Sequence, residues 1–120
     1  MPFKALLKDL VSSVEGATGA VFLASDGEPV QAYSETDLER LQLRGAYVTV
    51  VLKGCRASAS RLMIRDLGHL VLEYDGATII VQELNPGYFI LLELDSSANI
   101  GQAIYRIQPV VGHLRREIAA

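Results

Sequence analysis

The sequence predicts an α+β fold in which one five-stranded antiparallel sheet is covered by helices on both faces. From His69 to Leu94, three segments rich in β-branched, leucine and aromatic residues are separated by turn residues at Asp75-Gly76 and Asn85-Pro86-Gly87. This pattern is typical of a three-stranded antiparallel meander. Its last strand, Tyr88 to Leu92, carries apolar side chains on both sides of the pleat, so both faces of the sheet must be covered.

The chain begins with a predicted helix, for which Pro2 suits the first turn and Gly16 suits the end. Its apolar stripe consists of Phe3, Leu6, Leu7, Leu10, Val11 and Val14. Ala20 to Ala24 then form a short strand, and Asp26-Gly27 turns the chain into a second strand near Pro29 to Tyr33. Because proline cannot donate to a strand ladder, Pro29 places that second strand at an edge of the sheet.

The longest helical pattern runs from about Glu35 to Leu62, and Ser34 with Asp37 three residues later resembles a capping box. The stripe expected to face the sheet comprises Leu38, Leu41, Gly45, Val48, Leu52, Cys55, Ala59 and Leu62. A second, adjoining set comprises Leu43, Tyr47, Val50, Val51, Gly54 and Ser58. The apolar arc is wider than one contact with a sheet requires, which predicts a second buried surface on this helix.

A final helix is predicted from Asn99, with Gln102 completing a capping box and Pro109 introducing a kink. Its buried stripe comprises Ile100, Ile104, Ile107, Val111, Leu114 and Ile118. The 120 residues suffice for one core and are too few for two, so residues 1–120 are expected to form a single domain.

Composition excludes several classes of function. The net charge of −3 leaves no basic footprint for nucleic acid, and no apolar run approaches the ~20 residues that a membrane span requires. The N-terminal segment lacks the uninterrupted apolar core of a signal peptide, so we expect a cytoplasmic protein without membrane insertion. A single cysteine, Cys55, offers neither an intrachain disulfide nor paired metal ligands, and no cofactor is expected.

No catalytic constellation emerges from the residue types. Glu73, Glu83 and Glu93 on neighbouring strands are more typical of solvated strand ends than of a general acid and base. The recurring arginines are explained by a solvated helix face or by an arginine finger; they are Arg40, Arg44, Arg56, Arg61 and Arg65. A phosphate-binding loop follows a strand and opens a helix, whereas the glycines here precede a strand. They therefore do not support a nucleotide site. The residues alone indicate a binding module.

The order of elements resembles the Roadblock/LC7 domain family, and within it the small bacterial members similar to MglB, over essentially the whole chain. The resemblance rests on the glycine-flanked first strand within Gly16 to Val30, the long helix from Glu35, the strands from Leu70 to Leu94, and Asn99 to Ala103 at the last helix. It implies a profilin-like αββαβββα domain that is not an enzyme, dimerises, and binds Ras-like small GTPases. Such members accelerate GTP hydrolysis without donating an arginine finger.

Carried onto this chain, the resemblance places the GTPase contacts on the polar side of the long helix, at Gln42, Thr49, Lys53 and Arg56. The predicted function is that of a dimeric regulator that modulates nucleotide hydrolysis or state. The alternative is an adaptor or scaffold subunit that tethers a GTPase or motor component without regulating it. A small-molecule sensor is a third class, disfavoured because Ile79, Val81, Phe89 and Leu91 are expected to fill the sheet face.

A homodimer is predicted from the first strand of the meander, Leu70, Val71, Leu72, Glu73 and Tyr74, which has no sequence neighbour to cover its outer edge. Antiparallel pairing with a second copy suits a two-fold axis and places the two long helices side by side. The alternative is a monomer in which the loop from Ile64 to Gly68 covers that edge.

Overall fold

The computed structural model describes residues 3–65, 67–84 and 87–119, and it has the predicted order of elements. The helices are α1 (Phe3–Ser13), α2 (Leu38–Arg61) and α3 (Ile100–Ala119). The strands are β1 (Ala17–Ala24), β2 (Pro29–Ser34), β3 (Leu70–Tyr74), β4 (Ala77–Glu83) and β5 (Tyr88–Asp95). Pro2, and Asn85 and Pro86 of the second meander turn, lie outside the described residues.

The five strands form one antiparallel sheet in the order β2-β1-β5-β4-β3. The predicted sheet is therefore confirmed, with β2 at one edge and β3 at the other. At the tight turn between β3 and β4, Asp75 has φ 40° and Gly76 φ 76°. Positive φ at both central residues is the conformation that joins twisted antiparallel strands and that Asp-Gly adopts readily.

The sheet divides the interior into two cores, and β5 contributes to both. Ile90, Leu92 and Leu94 pack with α1 and α3 on one face, whereas Phe89 and Leu91 pack with α2 on the other. All five side chains are at most 3% exposed. The predicted coverage of both faces is confirmed.

The predicted start of the long helix is wrong by three residues. Ser34 is the last residue of β2, and the Glu35 amide still donates to the Thr18 carbonyl at 2.9 Å, so the strand ladder holds the chain past Ser34. The N-cap is Asp37, whose Oδ1 accepts from the Arg40 amide at 3.1 Å.

The sheet-facing stripe of α2 is confirmed in its middle and wrong at its ends. Its buried members are Leu41, Gly45, Val48, Leu52 and Ala59, and Cys55 is half-buried. Leu38 and Leu62, at the two ends of the stripe, are 42% and 72% exposed. A Cβ on Gly45 would lie 3.2 Å from the Leu23 side chain, so the absence of a side chain there lets the helix approach β1 closely.

Asn99 caps helix α3, because its Oδ1 accepts from the Gln102 amide at 2.9 Å. This bond is one of the two that the predicted capping box requires. Of the predicted stripe, Ile107, Val111 and Leu114 are buried, whereas Ile100, Ile104 and Ile118 are half-buried. The helix continues through Pro109. The kink stays a prediction.

Helix α2 ends in a Schellman motif with an unusual residue at its centre. The Ile64 amide donates to Ala59 O at 2.8 Å and the Met63 amide to Ser60 O at 3.0 Å. Met63 has φ 62° and is 90% exposed. Glycine normally occupies this left-handed position, because a Cβ there meets the following carbonyl oxygen.

We predict that Met63→Gly stabilises the fold by about 0.5–1 kcal/mol. Replacing Met63 with glycine removes the cost of the left-handed conformation, which is about 1–2 kcal/mol for a non-glycine residue. Glycine also adds backbone freedom to the unfolded chain, which lowers this gain by about 0.5–1 kcal/mol. Urea denaturation measures the change. Met63→Ala is the matched control, since it removes the exposed side chain but keeps the Cβ. An equal gain in the alanine variant would show that backbone strain is not the cause.

Candidate interaction surface

The largest exposed apolar area on α2 faces away from the sheet. Leu43, Tyr47 and Val50 are 58%, 68% and 68% exposed. With Gly54, their spacing of three and four residues places them on one helical stripe, opposite the stripe buried against the sheet. The second apolar set therefore does not simply adjoin the buried one. We call Leu43, Tyr47, Val50 and Gly54 the outward stripe.

A flank of α2 joins the outward stripe to the β3 edge. Arg44, Val51, Cys55 and Ser58 lie along it at helical spacing, and Arg44 reaches Tyr74 of β3. Val51 is 45% exposed. A shallow, largely apolar depression continues from this flank to the loop after α2; its lining comprises Val51, Gly54, Cys55, Ser58, Ala59, Leu62, Ile64 and Leu67. Apolar surface thus extends from the top of the helix down toward the sheet edge.

The two edges of the sheet are protected to different degrees. In β2, Pro29 has no amide hydrogen to offer, and the Ala32 amide donates to the side-chain Oε1 of its neighbour Gln31 at 3.0 Å. Strand β3, Leu-Val-Leu-Glu-Tyr, contains neither proline nor glutamine, and its single charged side chain is the exposed Glu73. The edge at β3 is therefore the better template for pairing with another strand.

A buried carboxylate ties α2 to the sheet beneath this flank. Glu93 of β5 is only 7% exposed; its Oε1 accepts from Thr18 Oγ1 at 2.8 Å and its Oε2 from Arg44 Nη1 at 2.6 Å. The hydrogen bond to Glu93 raises the pKa of the Arg44 guanidinium. The prediction of a solvated Glu93 is wrong, because this position of β5 lies under α2.

Tyr74 adjoins the same guanidinium, since Arg44 Cζ lies 5.4 Å from the centre of its ring. Among the described residues, Tyr74 Oη is the buried side-chain polar atom without a hydrogen-bond partner. Burial raises the pKa of the Tyr74 phenol, so the hydroxyl keeps its proton. An unpaired buried hydroxyl typically costs about 1–3 kcal/mol.

The other predicted carboxylates are not brought together with Glu93. Glu83 forms an ion pair with Arg56, and Glu73 is exposed. Across residues 3–65, 67–84 and 87–119, no group of three or more histidine, cysteine or acidic side chains is arranged to hold a metal ion. No helix within the same ranges is long and apolar enough to cross a membrane.

Three of the four predicted GTPase contacts have accessible positions. Lys53 is exposed, Gln42 is half-buried, and the side chain of Arg56 is 42% exposed in its pair with Glu83. Thr49 is the exception, because it is 3% exposed and its Oγ1 donates to Gly45 O at 2.9 Å. Its spacing from Gly45 and Leu52 places it beneath the helix, so the prediction that Thr49 contacts a partner is wrong.

The helix is also basic as a whole. It contains one acidic residue, Glu39, and five basic ones, Arg40, Arg44, Lys53, Arg56 and Arg61, although the whole chain has a net charge of −3. Two of the five, Arg44 and Arg56, are paired with Glu93 and Glu83 of the sheet, so the excess positive charge of the helix comes from Arg40, Lys53 and Arg61.

The sheet face beneath α2 is filled as expected, with Ile79, Val81, Phe89 and Leu91 at most 3% exposed. Beside it, a cavity of about 130 Å³ lies between α2 and β3, lined in part by Leu52, Leu70 and Val81. That volume is of the order that holds one small apolar molecule. It is well below the roughly 300–1,000 Å³ of typical ligand pockets, so this cavity is too small for a typical small-molecule ligand.

No protein-family model and no curated protein sequence matches the chain. Solved structures do. A Roadblock/LC7 domain from Streptomyces avermitilis is 20% identical with a TM-score of 0.89 and covers 98% of both chains. MglC from Myxococcus xanthus is 25% identical with a TM-score of 0.69, covering 98% of this chain and 99% of its own. Myxococcus xanthus MglB is 10% identical with a TM-score of 0.86, covering 97% and 94%. The chain has the fold that the resemblance implies.

We predict that the two arginine pairs of α2 differ in their effect on stability. Arg44→Ala deprives a buried carboxylate of a charged hydrogen bond and should cost about 1–3 kcal/mol. Arg56→Ala removes an exposed pair and should change the free energy of unfolding by at most about 1 kcal/mol. Denaturant titration of both variants provides the comparison, with Arg56→Ala serving as the matched control. A greater loss for Arg56→Ala would contradict the assignment of Arg44–Glu93 as the structural pair.

Proposed function

We propose that this chain, which shares the Roadblock/LC7 fold with MglB and MglC, forms a homodimer and acts as a non-catalytic regulator of a Ras-like small GTPase. The observation that carries the proposal is an exposed apolar stripe on α2 that is joined to the unprotected sheet edge at β3 by the flank that carries Arg44 and Val51. A continuous patch of this kind marks a site of protein association.

In the proposed homodimer, β3 pairs antiparallel with its copy, from Leu70 to Tyr74, and the sheet continues across a two-fold axis. Val51 and Ser58, in the C-terminal part of the flank, lie on the same side as β3 and meet their twins. Arg44, two helical turns before Val51, lies at the rim of this contact. Leu43, Tyr47, Val50 and Gly54 extend this contact over the top of the helix pair. Gly54 would allow the two helices to approach closely, because it has no side chain. The single chain does not require a glycine there, since among the described residues a Cβ on Gly54 would meet no atom within 4 Å.

The GTPase is proposed to bind over the paired helices, where the outer part of the outward stripe stays accessible beside basic side chains. Gln42 and Lys53 lie on the side of α2 away from the flank that carries Val51 and Ser58, and so remain free of the helix pairing. Arg56 instead pairs with Glu83 of β4 and lines the cavity beside Leu70 of β3. The excess of basic side chains on α2, which includes Lys53, favours a partner with an acidic docking surface and would speed association with it. The chain supplies a surface that orders the GTPase's own catalytic loops rather than catalytic residues of its own.

The dimer is tested by Gly54→Leu. Within one chain this change should be tolerated, because the site is open and leucine favours an exposed helix by up to about 1 kcal/mol over glycine. Across the axis the added side chain separates the helices, and we expect the dimer dissociation constant to rise at least about tenfold. Sedimentation velocity over a concentration series measures it.

Ser60→Leu is the matched control for that change, since it adds a leucine to the other flank of the same exposed helix. Its dissociation constant should equal that of the wild type. A wild-type protein that remains monomeric at high micromolar concentration, or a Gly54→Leu variant that dimerises normally, contradicts the proposed arrangement.

The GTPase interaction is tested by calorimetric titration of the dimer with the source organism's Ras-like GTPase, loaded with GDP or with a non-hydrolysable GTP analogue. Lys53→Glu should weaken binding about tenfold, because it reverses a charge on the proposed docking face. Lys8→Glu is the charge-matched control on the exposed side of α1, beyond the opposite face of the sheet, and should leave affinity unchanged.

Hydrolysis measurements on the same complex separate regulation from tethering. An accelerated single-turnover rate supports a regulator. Binding with an unchanged rate identifies an adaptor instead, and absence of binding in both nucleotide states contradicts the GTPase proposal.

A further inference from the structure

We propose that Tyr74 is a reserve hydrogen-bond donor for Glu93, which allows Arg44 to leave that carboxylate and bind an acidic side chain of a protein docked on α2. The part concerning the docked protein rests on the proposed function. The reserve-donor part concerns the isolated chain and stands on its own geometry.

The first argument is the position of the unpaired hydroxyl. Tyr74 Oη is buried without a partner, and its ring lies beneath the guanidinium that Glu93 binds. A buried donor near a buried acceptor can replace the group that the acceptor binds. Here Tyr74 can replace Arg44 as the donor to Glu93. The raised pKa of the Tyr74 phenol is consistent with a hydroxyl that retains its proton for donation.

The second argument is that the Tyr74 and Glu93 side chains are long enough to meet. The sheet register aligns Leu72 of β3 with Ile79 of β4, and Ile79 with Glu93 of β5. Glu93 is therefore level with Leu72 and two strands away from it. Tyr74 lies two residues beyond Leu72 on β3. Standard strand spacings give about 12 Å between the Tyr74 and Glu93 Cα atoms, which tyrosine and glutamate side chains together can span. Both residues lie on the α2 face. Ala77, the β4 residue opposite Tyr74, is small and leaves room between them.

The third argument is balance between the two pairings. With Arg44 on Glu93, the carboxylate has its charged partner but the tyrosine hydroxyl is unpaired. With Tyr74 on Glu93, the hydroxyl is paired, Thr18 keeps its bond to the other carboxylate oxygen, and the guanidinium is free. The hydrogen bond from Tyr74 offsets part of the cost of removing Arg44, but Glu93 also loses its counter-charge. The carboxylate of the docked partner must supply the remaining free energy by binding the guanidinium.

The fourth argument concerns the partner. The Arg44 side chain is already 29% exposed on the flank of α2, so its guanidinium can turn outward without unfolding the helix. A guanidinium matches the two oxygens of a carboxylate, and basic residues outnumber acidic ones five to one on α2. The ligand that fits is an aspartate or glutamate side chain carried by the docked protein.

The reserve donor is tested by a double-mutant cycle on the isolated protein. In the wild type, Tyr74→Phe removes only an unpaired hydroxyl and should leave the melting temperature unchanged or raise it. In an Arg44→Ala background the same change removes the replacement donor, and the melting temperature should fall by about 4 °C or more. Tyr33→Phe, a half-buried tyrosine of β2 that packs against the core on the other face, is the control and should be additive with Arg44→Ala. An additive Tyr74–Arg44 cycle overturns the reserve donor.

The release of Arg44 is tested by calorimetry with the GTPase. Arg44→Ala should weaken binding about tenfold because the contact is lost. Tyr74→Phe should weaken it by several fold although the hydroxyl is buried, because Arg44 can no longer leave Glu93 without a replacement. Unchanged affinity in Tyr74→Phe overturns the release. If no GTPase binds at all, the proposed function fails while the cycle still decides the role of Tyr74.

Discussion

The central strand β5 sets the architecture, because it is apolar on both sides and lies between two strands that it pairs with along its length. Residues that alternate along its pleat enter two separate cores, so neither face of the sheet can be left to water. The N- and C-terminal helices cover one face, and α2 alone covers the other. Because one helix covers this face and two cover the other, the α2 face is the one on which additional surface can be buried.

Helix α2 carries two apolar stripes, one buried against the sheet and one exposed on the opposite side. Toward the sheet it needs small or apolar side chains, and it includes Gly45 for close approach and Thr49 with its hydroxyl satisfied by the helix's own backbone. On the opposite side, Leu43, Tyr47 and Val50 are apolar although each is more than half exposed. Basic residues on the remaining positions offset this exposed apolar area in a solvated chain, which is why the helix is polar on average and yet carries two apolar stripes.

Much of the fold could be predicted because it depends on local patterns. The alternation in the meander, the proline of β2 and the asparagine before α3 each act on adjacent residues, and each prediction is confirmed. The start of α2 could not be predicted from Ser34, since a hydrogen bond between the Glu35 amide and the Thr18 carbonyl overrides the local capping signal. That bond joins strands whose pairing a linear pattern does not specify.

The polar network at the candidate surface was missed for a related reason. A glutamate near the end of an apolar strand gives the same signal whether it is solvated or paired, and the partners of Glu93 lie 49 and 75 residues away at Arg44 and Thr18. Thr49 was assigned to the wrong side because its hydroxyl suggested a polar position, whereas its spacing from Gly45 and Leu52 indicates burial. Helical position was the better guide than side-chain polarity.

The unequal edges of the sheet have a consequence for assembly. Strands that add to a sheet normally leave a new edge behind them, and repeated addition is how β-rich proteins form fibres. Here the far edge is closed by Pro29, which has no donor, and by Gln31, whose side chain occupies the neighbouring amide. The β2 edge is therefore the poorer acceptor of a neighbouring strand and the β3 edge the better one. This difference favours the addition of a strand at one end of the sheet and disfavours continued addition at the other.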